Sequence, residues 1–333
     1  MAASLKALTV AAIALASAAP AWCQTTASAK VKTASKTWAV PRTPDGQPDL
    51  QGTWSNTTLT PLERPAELAG KAYLTEQEAA EWEKRTFANL TGDRRDGGAD
   101  ADVARSYNEF WRDRGTKVIG SRRTSLIVDP PDGRVPALTP EAQKRVAQAA
   151  AAARAHSTDG PEYQNLWVRC LTRGLPMLPG PYNNDFQIVQ TPGAVVILHE
   201  MIHDVRVIPL DGRPHLPSDV RQWLGDGRGH WEGDTLVVDT TNFSEKDNFR
   251  GSGANLHLIE RFTRVGPDEI SYRFTVDDST TFTRPWEAEV PMTRADGQIF
   301  EYACHEGNYA LADILRGARA QEAAQNGSKQ GSK

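Results

Sequence analysis

Apolar side chains recur at every second position in the last third of the chain, where Ile270, Tyr272, Phe274 and Val276 alternate with Ser271, Arg273 and Thr275. A period of two puts one set on each face of an extended strand. The alternation breaks at Glu232-Gly233-Asp234, Gly266-Pro267-Asp268 and Ala295-Asp296-Gly297, residue types that turns demand. From Arg228 to Tyr309 the pattern therefore predicts one antiparallel hairpin after another, ending in a strand over Ile299 to Glu306. Gln187 to Leu210 adds strand with a turn at Thr191-Pro192-Gly193. A sheet of this kind must close or be covered, so the fold class is mainly β, a meander closing into a barrel.

The first half reads differently. Thr75 and Glu78 form a capping box ahead of Ala79, Ala80, Trp82 and Phe87. Thr139 and Pro140 open an alanine-rich helix that runs to about Ala155. Ser125 to Asp129 is a short strand stopped by Pro130-Pro131-Asp132-Gly133, and the glycine-bearing charged stretch 92–106 is an exposed loop. Residues 41–320 then make a single barrel domain with a helical insertion at about 70–160, followed by a helix from Asn308 to about Ala324 and a disordered tail over 321–333. Gly52-Thr53-Trp54 resembles the start of lipocalin-like barrels, whose first strand commonly opens Gly-x-Trp with the indole plugging one barrel end. The resemblance implies a first strand near residue 50 and the remaining strands after residue 185.

The N-terminus carries one cation in its first six residues and an apolar run from Ala7 to Ala19, shorter than the ~20 residues of a spanning helix. This predicts a signal peptide over 1–23, cleaved after Ala21 or after Cys23, and a polar linker over 24–40. Trp22 before Cys23 argues against lipidation, which wants a small residue there. Removing Cys23 leaves Cys170 and Cys304, an even pair in an oxidising compartment, so a disulfide is expected. The protein is thus expected to be periplasmic or secreted.

With 38 basic and 42 acidic residues the net charge of −4 offers no field for nucleic acid, and no basic amphipathic stretch marks a membrane surface. There is no Gly-x-Ser-x-Gly elbow, phosphate-cradling loop or dinucleotide fingerprint, so serine hydrolase, kinase and dehydrogenase readings lose their usual support. No cofactor is expected, and the expected partner is a small molecule.

At whole-chain level Pro-Asp-Leu-Gln-Gly-Thr-Trp (48 to 54), Thr-Ser-Leu-Ile-Val-Asp-Pro-Pro-Asp-Gly-Arg (124 to 134), Arg-Gln-Trp-Leu-Gly-Asp (221 to 226), Gly-His-Trp-Glu-Gly-Asp-Thr-Leu-Val-Val-Asp-Thr-Thr-Asn-Phe (229 to 243) and Tyr-Ala-Cys-His-Glu-Gly-Asn-Tyr (302 to 309) resemble an uncharacterised family of exported bacterial proteins. The resemblance spans nearly all of the mature chain. It implies export from a bacterium and attaches no activity or catalytic residue.

Chemistry must come from side chains. His199-Glu200-Met201-Ile202-His203 matches a zinc protease signature, which works only on a helix. Its flanks, Val195 to Leu198 and Val205 to Pro209, are β-branched and read as strand, where the two imidazoles would stand ~13 Å apart, too far for one ion. On that strand His199, Met201, His203 and Val205 share one face. A more promising set lies at strand ends: Glu301 and His305 share a face of the expected last strand, with Glu306 opposite, while His257, Glu260 and Arg261 begin the strand after Arg250-Gly-Ser-Gly253. With His203 these supply imidazoles and carboxylates near an apolar cavity, where acid–base pKa values are tuned. His305, His257, Glu301 and His203 are therefore the candidate catalytic groups, and Arg261, Glu260, Glu306, Tyr182 and Asn184 the candidate substrate contacts, the last two from the rigid, polar loop Pro179 to Asp185. Two functions remain: an acid–base enzyme performing hydrolysis, elimination or isomerisation on a small molecule, or a carrier that only binds one. A divalent metal held by the imidazoles with Glu260 or Glu306 is a third possibility.

Overall fold

The computed structural model describes residues 38–330 apart from 95–96, 105–108 and 247–248. The expected leader, Cys23, nearly all of the linker and the last three residues lie outside the described residues. Ten strands form one sheet: β1 (Gly52–Ser55), β2 (Ile127–Asp129), β3 (Asp185–Thr191), β4 (Ala194–His199), β5 (Val205–Pro209), β6 (Asp226–Glu232), β7 (Thr235–Thr241), β8 (His257–Gly266), β9 (Glu269–Asp277) and β10 (Trp286–Arg294). They are ordered β5-β4-β3-β1-β10-β9-β8-β7-β6, with β2 added beside β10. Every pairing is antiparallel, and β5 lies next to β6, so the wall is a nearly closed nine-strand barrel.

The period of two sets what fills it. Ile270, Tyr272, Phe274 and Val276 of β9 are fully buried, as are Leu258, Glu260 and Phe262 of β8 and Trp286, Ala288, Val290 and Met292 of β10. Large rings occupy the interior, Phe262 stacking on Tyr272 at 4.8 Å and Trp286 meeting Phe274 edge-on at 5.9 Å. Each such side chain contributes roughly 1.5–3 kcal/mol by leaving water. Trp54 plugs one end: it is fully buried, its indole N–H donates to the Leu50 carbonyl at 2.9 Å, and the guanidinium groups of Arg294 and Arg264 lie over its ring at 4.7 and 5.5 Å. Gly52 is required beside it. Its φ is +132°, and a Cβ there would stand 2.9 Å from Arg294.

Between β1 and β3 come α1 (Glu76–Leu90), α2 (Gly98–Ala104) and α3 (Pro140–His156). The capping box at Thr75 and Glu78 is formed, and Thr139 caps α3. α1 and α3 each bury a single alanine, Ala79 and Ala142, so this insertion lies at the periphery. Three expectations fail. The stretch 92–106, expected as a loop, contains α2. The stretch 299–306 is not a strand, because β10 is already paired on both sides, by β9 and by β1 with β2, and no edge is left for it. The last helix, α4 (Tyr309–Gln330), continues through the segment expected to fray. Cys170 and Cys304 are bonded, their Cα atoms 5.7 Å apart, and this bond holds the 299–306 segment where a ladder does not.

Closure follows from parity. Nine strands joined antiparallel give β5 and β6 the same direction, so no hairpin can join them and the seam is closed by side chains. Gly229 of β6 permits this: a Cβ there would fall 2.7 Å from Leu210 and 2.8 Å from Ile208, the residues that fill the seam from the β5 side. Inside, Arg206 of β5 reaches Glu260 of β8 through two hydrogen bonds, one of 3.0 Å, and the Tyr272 hydroxyl donates to the same carboxylate at 2.8 Å. Burial and the Glu260 charge hold the Tyr272 phenol well above its ordinary pKa. Removing one member of a buried pair typically costs about 3–5 kcal/mol, whereas replacing both by apolar groups is often neutral. Glu260→Leu should therefore lower stability by about that amount, and adding Arg206→Met should recover most of it, read from urea midpoints. Equal losses in the single and double variants would contradict this account.

Candidate functional site

The strand directions place the end of β1 and β4 and the start of β3 and β5 at one mouth of the barrel. There β4 stops at His199 and the chain reverses into β5, Leu198 pairing with Val205. The His-Glu-Met-Ile-His stretch is thus not one strand: His199 ends β4 and Met201–His203 is a tight 3-10 turn, in which Ile202 and His203 take φ of 59° and 47°. The expected common face is lost: His199 is buried and His203 exposed, its Nδ1 3.2 Å from the Tyr302 carbonyl oxygen. Among the described residues no group of three metal-ligating side chains comes together.

Opposite this turn runs the segment from Leu166 to Pro181. The Asp204 carboxylate fastens it, accepting from the Thr172 hydroxyl and the Arg173 amide at 2.9 Å each. Met177 donates its amide to the Tyr272 hydroxyl at 3.2 Å, tying the segment to the barrel interior. Of the seven non-glycine residues with positive φ among the described residues, four stand here: Cys170, Asn183, Ile202 and His203. Such backbone is sparsely populated and concentrates where geometry is held for a purpose.

The electrostatics are equally marked. His199 stacks on Phe186 at 4.2 Å, and burial, then the nearby Arg173 charge, push its pKa down to about 3. Burial raises the Asp185, Glu200 and Asp204 carboxyls, and Asp185 raises Glu200 further. Glu200 also accepts from the Phe300 amide at 3.0 Å. The Arg173 guanidinium lies over the Trp167 ring at 4.3 Å. Trp167, Arg173 and Tyr182 stand between three cavities. One of about 550 Å³ lies between Trp167, Tyr182 and the Glu301–Asn308 segment; one of about 490 Å³ is roofed by Trp82 and Leu90 of α1; one of about 860 Å³ is walled by Ala149 and Ala153 of α3. The insertion's helices thus build the outer walls of the mouth.

Of the residues singled out in the sequence, Tyr182 and Glu301 meet in the first cavity, and His203 touches its Tyr302. His305 and Glu306 are exposed on the turn that follows Cys304. His257 and Arg261 do not join them, because Leu258, Glu260 and Phe262 take the inward positions and the odd-numbered residues of β8 face outward. His257 instead pairs with Asp239 at 3.0 Å, and Asp239 also meets His215, which contacts Asp226. The Asp239 hydrogen bond holds His257 above its ordinary pKa. Glu260 is locked in the core, and Asn184 is engaged by Asp113 and Gly180 as the staple of its loop. The expected cavity joining Glu301 and His305 to His257 or Arg261 is therefore not formed. Arg173 and Trp167 were not foreseen; the available signal was their position flanking Cys170, which the disulfide fixes beside the chain end.

No protein-family model and no curated protein matches the chain. Among solved structures, a mutant of the fluorescent protein UnaG is similar over 39% of this chain and 86% of that one, with 11% identity and a TM-score of 0.23. That likeness is too slight to carry a functional reading.

The state of His199 sets a pH dependence. Its folded pKa, about 3, lies below the ordinary 6.5, so the unfolded chain binds the extra proton between those values. Stability contributed by the neutral ring is present above the higher value and is lost as pH falls, at about 1.4 kcal/mol per pH unit. The raised carboxyls act in the opposite sense, binding protons more readily when folded. His199→Phe isolates the ring: its unfolding free energy should fall less steeply than wild type between pH 6 and pH 4. Parallel pH profiles would show that the imidazole is charged in the folded protein.

Proposed function

We propose that the chain is an exported, barrel-based protein that binds a small, partly apolar molecule at the open mouth rather than in the barrel lumen. The carrying observation is the position of Trp167, Arg173 and Tyr182 between three cavities whose volumes fall in the range of small-ligand sites, while aromatic side chains fill the lumen. Export is supported by the charged and apolar leader of the sequence and by a disulfide suited to an oxidising compartment. The family resemblance of the sequence phrases agrees with it. Mass spectrometry of the protein recovered from the periplasm or medium should give an N-terminus at Trp22 or Gln24; a chain retaining Met1 would reject export with cleavage.

Acid–base turnover of the bound molecule is the second reading. It is favoured by Asp185 and Glu200, two neighbouring carboxyls that burial pushes toward the protonated form, next to the neutral imidazole of His199. Raised carboxyls hold a proton that they can donate, and a neutral imidazole beside them can accept a hydrogen bond from a bound molecule. A fragment library examined by ligand-observed NMR separates the readings. Wild type should show saturable ligands whose affinity falls at least about tenfold in Trp167→Ala, the order of loss expected when a stacking face is removed. Chemical change of a bound ligand that stops in Glu200→Gln would establish turnover, and unchanged ligands would leave binding alone. Ligands indifferent to Trp167→Ala would remove the mouth as the site.

A further inference from the structure

The cavity roofed by α1 is lined mainly by apolar side chains, with Leu59, Leu62, Trp82, Leu90, Leu126 and Leu178 among its walls. Three guanidinium groups reach it. Arg114 is paired with Glu109 at 2.9 Å and Arg250 with Glu63 at 2.8 Å. Arg173 is different: among the described residues no carboxylate, carbonyl or hydroxyl accepts a hydrogen bond from its guanidinium, although the side chain is half-buried. Its contact is the Trp167 ring, whose centroid is 4.3 Å from the guanidinium carbon. A cation over an indole face recovers only part of what removing an ion from water costs. A desolvated guanidinium with free donors on the wall of an apolar cavity is an incomplete ion pair.

We propose that Arg173 receives the carboxylate of the molecule bound at the barrel mouth, and that the molecule's apolar body fills the cavity beneath α1. This rests on the mouth being a small-molecule site and adds the class of ligand: an apolar monocarboxylic acid. The planar guanidinium presents paired donors that match a carboxylate edge. One unpaired cation answers one negative charge. Asp204, whose carboxylate accepts from the Arg173 amide, stands at the same mouth and disfavours a doubly charged headgroup such as a phosphate monoester. The cavity, about 490 Å³, suits a ligand of one or two fused rings or a medium-length chain.

The test uses the full mature protein and three probes on one ring system: 2-naphthoate, neutral 2-naphthamide and 2-naphthyl phosphate, with affinities read by calorimetry. Wild type should bind the acid roughly 10- to 100-fold more tightly than the amide, the value of one charge-assisted contact. Arg173→Met should bring the acid down to the level of the amide, the acid losing far more than the amide, with Arg173→Lys regaining part of the difference. Its melting point should hold or rise, since an unpaired charge has been removed from a half-buried site. Acid and amide binding equally, or both weakening together in Arg173→Met, would overturn the carboxylate assignment while leaving a small-molecule site at the mouth. A phosphate bound more tightly than the acid would overturn it in favour of a dianion. Binding of none of the three would count against both the anion receptor and the mouth as a site.

Discussion

Closing nine antiparallel strands into a ring leaves two neighbours that point the same way, and everything else in this molecule accommodates that fact. The β5–β6 seam has no hairpin to hold it. What draws β5 onto the barrel is a charge pair passing through the interior, from Arg206 to Glu260 on β8, with Tyr272 of β9 completing the carboxylate's hydrogen bonds. Three strands on two sides of the lumen are thereby fixed relative to one another, and the remaining volume is taken up by Phe262, Phe274 and Trp286.

The same hydroxyl carries the constraint outward. Tyr272 accepts from the Met177 amide, so the segment that bears Trp167 and Arg173 is positioned by the network that closes the wall. Asp204 fixes its other end, immediately before β5 begins. The mouth is thus a rigid margin in which left-handed backbone at Cys170, Asn183, Ile202 and His203 is held by surrounding bonds. Backbone held in this way keeps the Arg173 guanidinium against the Trp167 ring, an arrangement that a mobile loop would relax.

The barrel was legible because its evidence is local. Alternation at Ile270 to Val276 and the turns at Gly233 and Asp268 need only neighbouring residues to be read, and the Gly52-x-Trp54 start and the Cys170–Cys304 pair were recognisable for the same reason. The mouth was not legible because its evidence is relational. A strand at 299–306 fits the local pattern; that β10 has no free edge is a property of the whole sheet. Glu260 and His257 are three residues apart, yet one is sealed in the core and the other lies outside, and only the inward register of Leu258 decides which. The His-Glu-Met-Ile-His stretch could be judged unfit for zinc from its flanks, but its hairpin reversal depended on Leu198 finding Val205. Arg173 carries no motif. It becomes notable only once Arg114 and Arg250, the other two guanidinium groups of the cavity beneath α1, have been seen to be paired.

The disulfide divides the chain in an instructive way. β3 to β10 all lie between Cys170 and Cys304, inside one covalent ring, while β1 lies outside it. Yet β1 is the strand inserted between β3 and β10, the first and last strands of that ring. The wall is therefore completed by four residues from a segment that the bond does not enclose, seated by ladder hydrogen bonds and by the indole of Trp54. A single backbone cut between Ser55 and Cys170 would leave the ring intact and turn the strand that completes it into a separate peptide, retained by affinity alone.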